Sequence, residues 1–160
     1  MHCAVASANE ERFAKVIAVL DGDTVLLKRI DNAGAPRLFY KLRLADIDAP
    51  EKDQDFGEQA KQALAQLVLQ QQVRVVTVAT DSYGRDIGWI MLGRDTRVEN
   101  AVNTELVRRG WAWVLSRSRS PYLRDTQQEA QREKRGLWAA ADAIPPWIWR
   151  KQKLLRDSNK

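Results

Sequence analysis

The chain has 160 residues, 44% hydrophobic and 29% charged, with a net charge of +5 and a pI near 9.6. That is the size and composition of one domain with its own core, and the basic balance fits a polyanionic partner. One cysteine (Cys3) and one histidine (His2) exclude an intrachain disulfide and a His/Cys zinc cluster, and no apolar run has the length of a membrane span.

At the N-terminus, Ala6-Ser7-Ala8 before Asn9 has the small-x-small form of a signal-peptidase site. Residues 1–11 therefore read as a leader or the remnant of an export signal, and a periplasmic, secreted or cell-surface location is the expectation. Runs rich in Val, Ile and Leu predict strands over 12–20, 23–30 and 37–46, with Asp21-Gly22 a hairpin turn able to take positive φ and Asn32 to Pro36 a second turn. GEQAKQALAQLVLQ at 57–70 spaces Ala60, Ala63, Leu64, Leu67 and Val68 along one face of a helix. The period then drops to two, which predicts strands over 73–80 and 86–92 around the loop Asp81-Ser82-Tyr83-Gly84-Arg85.

VENAVNTELVRR, stopped by Gly110, and the stretch from Tyr122 to Arg135, stopped by Gly136, predict two more helices. Residues 12–150 make one domain, and 151–160 a basic tail within PPWIWRKQKLLRDSNK, strapped down by its tryptophans and frayed at its end. Trp89, Trp111 and Trp113 are expected in the core, while Trp138, Trp147 and Trp149 pack the last helix and the tail onto it. The fold class is α+β, mainly β: five strands, with a helix after the third, in an OB-type Greek-key barrel with three helices. That fold commonly offers one face to nucleic acid.

The turn explains Asp21 and Gly22 but leaves Asp23, a second acid at the mouth of a strand, in need of solvent or a cation. KLRLADIDAPE at 41–51 ends its strand on further acids, and Pro50 takes the chain out of the sheet. If the second and third strands are antiparallel neighbours, Asp23 and Asp48 meet. Two carboxylates held together without His or Cys select a hard cation such as Ca²⁺ or Mg²⁺, and a carbonyl of the 48–50 loop can add a ligand. Arg43 reaches the same place if the chain bends near Asp48, and Arg85 follows a glycine that would let the backbone approach something closely. Two guanidinium groups beside a divalent cation suit a phosphate. Asp46 reads as a solvated strand residue, and Asp53 and Asp55 as a charged loop or helix start. Arg117 and Arg119 are candidate phosphate contacts, as are Lys151, Lys153 and Arg156, although each singly also suits a solvated surface.

DGDTV at 21–25, RLADIDAPE at 43–51, FGEQA at 56–60, DSYGR at 81–85, ELVRRGWA at 105–112 and RGLW at 135–138, in this order, resemble the staphylococcal nuclease (thermonuclease) family. The resemblance spans roughly Phe13 to Arg150 and implies an OB-type barrel of five strands and three helices. It implies one Ca²⁺ held by Asp23, Asp48 and the main-chain carbonyl of Ala49, with Asp21 behind them. It further implies Glu51 as general base, Arg43 and Arg85 as the phosphate-binding arginines, and Tyr83 beside the substrate phosphate. This chain has Ala49 where the family usually has Thr, which keeps the carbonyl and loses the hydroxyl. The aromatic residues with which the family stacks a nucleobase after its second helix are not plainly present in VLSRSRS at 114–120.

The function implied is a calcium-dependent phosphodiesterase on DNA and RNA, in which an activated water attacks phosphorus, the P–O5′ bond breaks and a 3′-phosphate is left. A monomer with no membrane association and no obligate protein partner is expected. The alternative is a non-catalytic nucleic-acid-binding module of the same fold, against which stand Asp23, Asp48 and Glu51, since carboxylates on a phosphate path weaken binding. A protein adaptor is a third reading, and its mark would be an exposed apolar patch.

Overall fold

A computed structural model describes residues 10–30 and 37–159, so the export-signal reading, Cys3, His2 and the turn expected from Asn32 to Pro36 lie outside the described residues. In chain order the elements are β1 (Glu10–Asp21), β2 (Thr24–Arg29), β3 (Phe39–Leu44), β4 (Ile47–Asp48), α1 (Gly57–Val68), β5 (Gln72–Thr80) and β6 (Asp86–Met91). There follow α2 (Val102–Arg108), β7 (Trp113–Val114), α3 (Pro121–Arg132) and α4 (Pro146–Ser158). Five strands close into a barrel in the order β1-β2-β3-β6-β5, and β4 pairs with β7 in a separate two-stranded ladder.

The barrel closes because β1 is long enough to serve two neighbours. Its residues 10–15 pair with β5 and its residues 14–21 with β2, and irregular register at Val16 to Ala18 and Val19 to Asp21 bends it from one to the other. All these pairings are antiparallel except β3 with β6, which is parallel as the chain returns after α1 and β5. Alternate residues such as Val16, Leu27, Leu42, Val75 and Ile90 fill the interior, and Ala60, Ala63, Leu64 and Val68 of α1 bury the helical stripe against it. The α+β, mainly β, OB-type barrel expected from the sequence is therefore observed, with one helix more than the three expected.

Two helices differ from expectation for identifiable reasons. The segment from Arg97 does not run straight into Gly110: a single 3₁₀ turn at Val98–Asn100 is followed by extended Ala101, and only then does α2 begin. The break sets Asn103, fully buried, against the barrel, where its Nδ2 donates to the carbonyls of Ala45 (3.0 Å) and Gly88 (3.1 Å) and its Oδ1 accepts from Ile90 N–H (3.2 Å). The stretch expected as a strapped and frayed tail is α4, with Pro146 in its first turn. Of its residues only Pro146 is buried, so it lacks the apolar stripe that reveals a helix in sequence. Trp147 is seated edge-on to Trp113, with centroids 5.8 Å apart, and Trp113 meets Trp138 at 4.2 Å.

Gly22 has a different task from the one its place in a turn suggests. The β1–β2 connection is the two-residue turn Gly22-Asp23, yet Gly22 does not have positive φ. A Cβ at this position would lie 2.7 Å from the Cβ of Ala49 and 2.8 Å from that of Ala60. The glycine thus lets the turn press against both α1 and the segment after β4. Gly22→Ala should destabilise the fold by about 1–3 kcal/mol, as overpacking does, and lower the melting temperature by several degrees in calorimetry; an unchanged melting temperature would show that the turn can lift away freely.

Candidate active site

Asp23 is the fixed point of the site. It follows Gly22 in the tight turn, where its own N–H donates to Asp21 Oδ1 (3.0 Å) and its side chain is folded inward. Oδ1 accepts from the Thr24 hydroxyl (3.0 Å) and Oδ2 from Ala49 N–H (2.9 Å). Burial pushes the Asp23 carboxyl above the ordinary carboxylate range, against the pull of the Arg43 guanidinium and with the help of the Asp21 charge.

Arg43 faces Thr24 across the β2–β3 ladder, and β3 ends one residue later. The chain then bends at Asp46, whose φ is 63°, into β4, which ends on Asp48. Arg43 fills the bend. Nη1 donates to the carbonyls of Leu44 (3.2 Å) and Ile47 (3.1 Å), while Nη2 donates to Asp48 Oδ1 (3.1 Å) and to Asp23 Oδ2 (3.5 Å). The bend needed to bring Arg43 and Asp48 together is therefore present. Asp46 is not the solvated strand residue expected: its left-handed backbone makes the bend, and its carboxylate accepts from the Ser118 hydroxyl (2.8 Å).

Glu51 leaves the sheet through a compact loop. Its N–H donates to Gln54 Oε1 (3.1 Å), its carbonyl accepts from Gln54 N–H (2.9 Å), and Gln54 Nε2 donates to the Ile144 carbonyl (2.7 Å). Gly57 closes the loop, since a Cβ there would stand 1.9 Å from the Glu51 carbonyl oxygen. Asp53 and Asp55 are exposed as expected, Asp53 pairing with Lys153. A further cation enters from α4: Arg150 donates through Nη2 to Asp48 Oδ2 (2.7 Å) and through Nη1 to Asp48 Oδ1 (3.3 Å) and Glu51 Oε1 (2.5 Å). Its hydrogen bond with Asp48 and that with Glu51 move the Arg150 pKa still further up.

The β5–β6 loop is held by one side chain. Asp81 Oδ1 accepts from Tyr83 N–H (2.9 Å) and Arg85 N–H (3.0 Å), and Oδ2 accepts from Arg85 Nε (2.7 Å). Desolvation works against the ionised form, but these bonds outweigh it and hold the Asp81 carboxyl below its ordinary value. Gly84 has φ +76° with open space around it, so it supplies backbone conformation here and no close approach. Tyr83 projects into solvent at 85% exposure, with the Arg85 guanidinium 5.6 Å from its ring.

These segments line one cavity of about 290 Å³, which brings together Asp21, Asp23, Arg43, Asp48, Ala49, Glu51, Tyr83 and Arg85, with Arg150 at its edge. Arg117 and Arg119 are exposed on the loop after β7 and do not line it. The acidic side chains lining the cavity offer oxygen alone, with Arg43 between buried Asp23 and Asp48 and the Asp21 charge beside Asp23, and oxygen is the ligand that a hard cation takes. Among the described residues no three Asp, Glu, His or Cys side chains already converge on one point. A cation here would rest on Asp23 and Asp48, with a carbonyl such as that of Ala49 and water filling its shell.

A family model described as staphylococcal nuclease homologue matches residues 41–140. The chain belongs to the staphylococcal nuclease family. An uncharacterized endonuclease of Escherichia coli is 41% identical over 140 residues, 87% of this chain and 85% of its own length. A micrococcal nuclease of Shigella flexneri is 36% identical over 145 residues, 86% of this chain and 79% of its own. An uncharacterized endonuclease of Haemophilus influenzae is 34% identical over 148 residues, 92% and 78% respectively.

In this staphylococcal nuclease homologue, three residues that shape the cavity carry little sign of it in the sequence. Arg150 is the last residue of the expected domain, in a stretch with no apolar stripe to mark a helix. Gln54 carried no signal beyond its place in the loop after Pro50. Asp81 was visible as the first residue of DSYGR, and its spacing to Arg85 was a sign of a side chain capping its own loop. Asp81→Ala should release the loop: hydrogen exchange at the N–H groups of Tyr83 and Arg85 should speed up at least tenfold, with the barrel amides unaffected. Because the folded-state pKa of Asp81 is lowered, its stabilisation of the loop is present above the unfolded value of 3.8 and is lost as pH falls through the folded one. The wild-type protection should therefore be level through neutral pH and fade only below that value.

Proposed function

We propose that this chain is a calcium-dependent nuclease that hydrolyses phosphodiester bonds of DNA and RNA. Membership of a nuclease family supports a hydrolase acting on nucleic acids. The finer reading is carried by one observation: two guanidinium groups, Arg43 and Arg85, share a cavity with the buried pair Asp23 and Asp48 and with the more accessible Glu51.

Calcium, held by Asp23, Asp48 and the Ala49 carbonyl, would neutralise phosphate charge when bound. Arg43 is held through Nη1 by two backbone carbonyls and through Nη2 by Asp48 and Asp23, so its guanidinium plane is fixed before substrate arrives; in the proposed reaction its Nε–H binds a non-bridging oxygen of the phosphate. Arg85, held by Asp81, binds the phosphate from the other side and offsets charge building on the leaving oxygen. Preorganised donors of this kind lower a barrier by about 3 kcal/mol each. Glu51, with its backbone anchored by Gln54, accepts a proton from the attacking water, the P–O5′ bond breaks, and the product carries a 3′-phosphate. Tyr83 stands at the rim beside the phosphate, with Arg117 and Arg119 as outlying contacts to the polyanion and Asp21 supporting the turn.

Degradation of single-stranded DNA, duplex DNA and RNA, each with calcium, magnesium or a chelator, tests this directly. Cleavage with calcium, 3′-phosphate ends, and a loss of about 100-fold or more in Glu51→Gln with binding retained are expected. Arg43→Gln and Arg85→Gln should each lower the rate about 100-fold, with a smaller effect on binding. Nucleic acid bound but left intact with either metal would make the chain a binding module.

A further inference from the structure

Arg150 has no part in the reaction just described. Yet its guanidinium takes up both carboxylates on which that reaction depends. Asp48 Oδ2 accepts from Arg150 Nη2 at 2.7 Å, Asp48 Oδ1 accepts from both Arg150 and Arg43, and Glu51 Oε1 accepts from Arg150 Nη1 at 2.5 Å. Asp48 is 1% exposed, so there is little water to screen a second cation brought to the same oxygens. A guanidinium cannot give up its charge by losing a proton. A divalent ion on Asp48 and Arg150 on Asp48 therefore repel each other, and each weakens the other's hold there.

The two arginines on Asp48 differ in how they are held. Arg43 is 14% exposed in its side chain and anchored on the Leu44 and Ile47 carbonyls, so it stays whatever Asp48 does. Arg150 is 43% exposed in its side chain, and the partners seen for its guanidinium are the two carboxylates. It can move into solvent without uncovering the core. α4 need not move with it, because Trp147 against Trp113 holds the helix independently, and the exposed Lys153–Asp53 pair adds little to its seat.

We infer that Arg150 is a built-in counter-ion that competes with the divalent cation for Asp48, so that loading the cation drives Arg150 off both Asp48 and Glu51. The inference rests on the cation-dependent reading above and adds its regulation. With Arg150 in place a guanidinium sits on Glu51 Oε1; with Arg150 displaced the carboxylate keeps its charge without that counter-ion. Cation binding and release of the base thus become one equilibrium, and Arg150 is a positioning residue acting through Glu51.

The test is calcium binding by isothermal titration calorimetry on the whole chain without substrate, comparing wild type with Arg150→Gln, Arg150→Lys and Lys153→Gln, each checked for helix content by circular dichroism. Arg150→Gln should bind calcium on the order of tenfold more tightly, and Arg150→Lys, which keeps the charge and loses the two-pronged grip, by a smaller factor. Lys153→Gln removes the same charge from the same helix without touching Asp48 and should change affinity by less than about twofold. Equal affinity in wild type and both Arg150 variants, or an equal gain in Lys153→Gln, overturns the inference. If Asp48→Asn abolishes calcium binding while Arg150 has no influence on it, this inference alone fails. If no variant binds calcium, the cation-dependent reading fails and takes this inference with it.

Discussion

A single buried carboxylate sets the arrangement of this molecule's working end. Asp23 accepts the Ala49 N–H and thereby ties the β1–β2 turn to the segment that follows β4, two parts of the chain 26 residues apart. Gly22 permits the close approach, and Arg43 lies between Asp23 and Asp48 so that two buried negative charges can share one wall. Removing one member of such a set leaves the others uncompensated, which typically costs about 3–5 kcal/mol. The barrel supplies strands in register, but this tie determines where their ends point.

The site is thereby built from two kinds of group. Arg43 and Arg85 are fixed by bonds that do not involve substrate: backbone carbonyls for one, the Asp81 carboxylate for the other. Arg150 is fixed only by the carboxylates of the cavity itself. The first kind is preorganised and rigid, the second answers to what the carboxylates hold. A desolvated carboxylate such as Asp23 is held at a cost in stability that its bonds to Ala49 N–H and the Thr24 hydroxyl partly offset.

The barrel was legible in the sequence because period-two runs and the 57–70 stripe are direct images of buried faces, and the meeting of Asp23 with Asp48 followed from the pairing of two adjacent strands. What was misread shows where pattern stops informing. Gly22 and Gly84 exchange roles: the one in the two-residue turn is there for close packing and the one before Arg85 for positive φ. Both are glycine in a loop, and a sequence does not distinguish a missing side chain from a permitted dihedral. Asp46 was legible as an acid but not as the left-handed residue that turns the chain. The late start of α2 depends on Asn103 satisfying three barrel groups, partners that only the folded chain brings together. α4 escaped because it is seated by charges and one indole edge, where helical pattern reading looks for an apolar stripe.

Three of the six indoles pack on one another and give this protein a native optical reporter. Trp113 pairs with Asp48 in the β4–β7 ladder, Trp138 belongs to the turn after α3, and Trp147 belongs to α4. With ring centroids 4.2 and 5.8 Å apart, their emission reflects their mutual spacing and the polarity around them. A shift of α4 would alter the environment of one ring against the other two, one residue pairing from the carboxylate on which the site is centred. The seat of the C-terminal helix thus contributes to the intrinsic fluorescence of the chain, over the emission of Trp89, Trp111 and Trp149, with no dye attached.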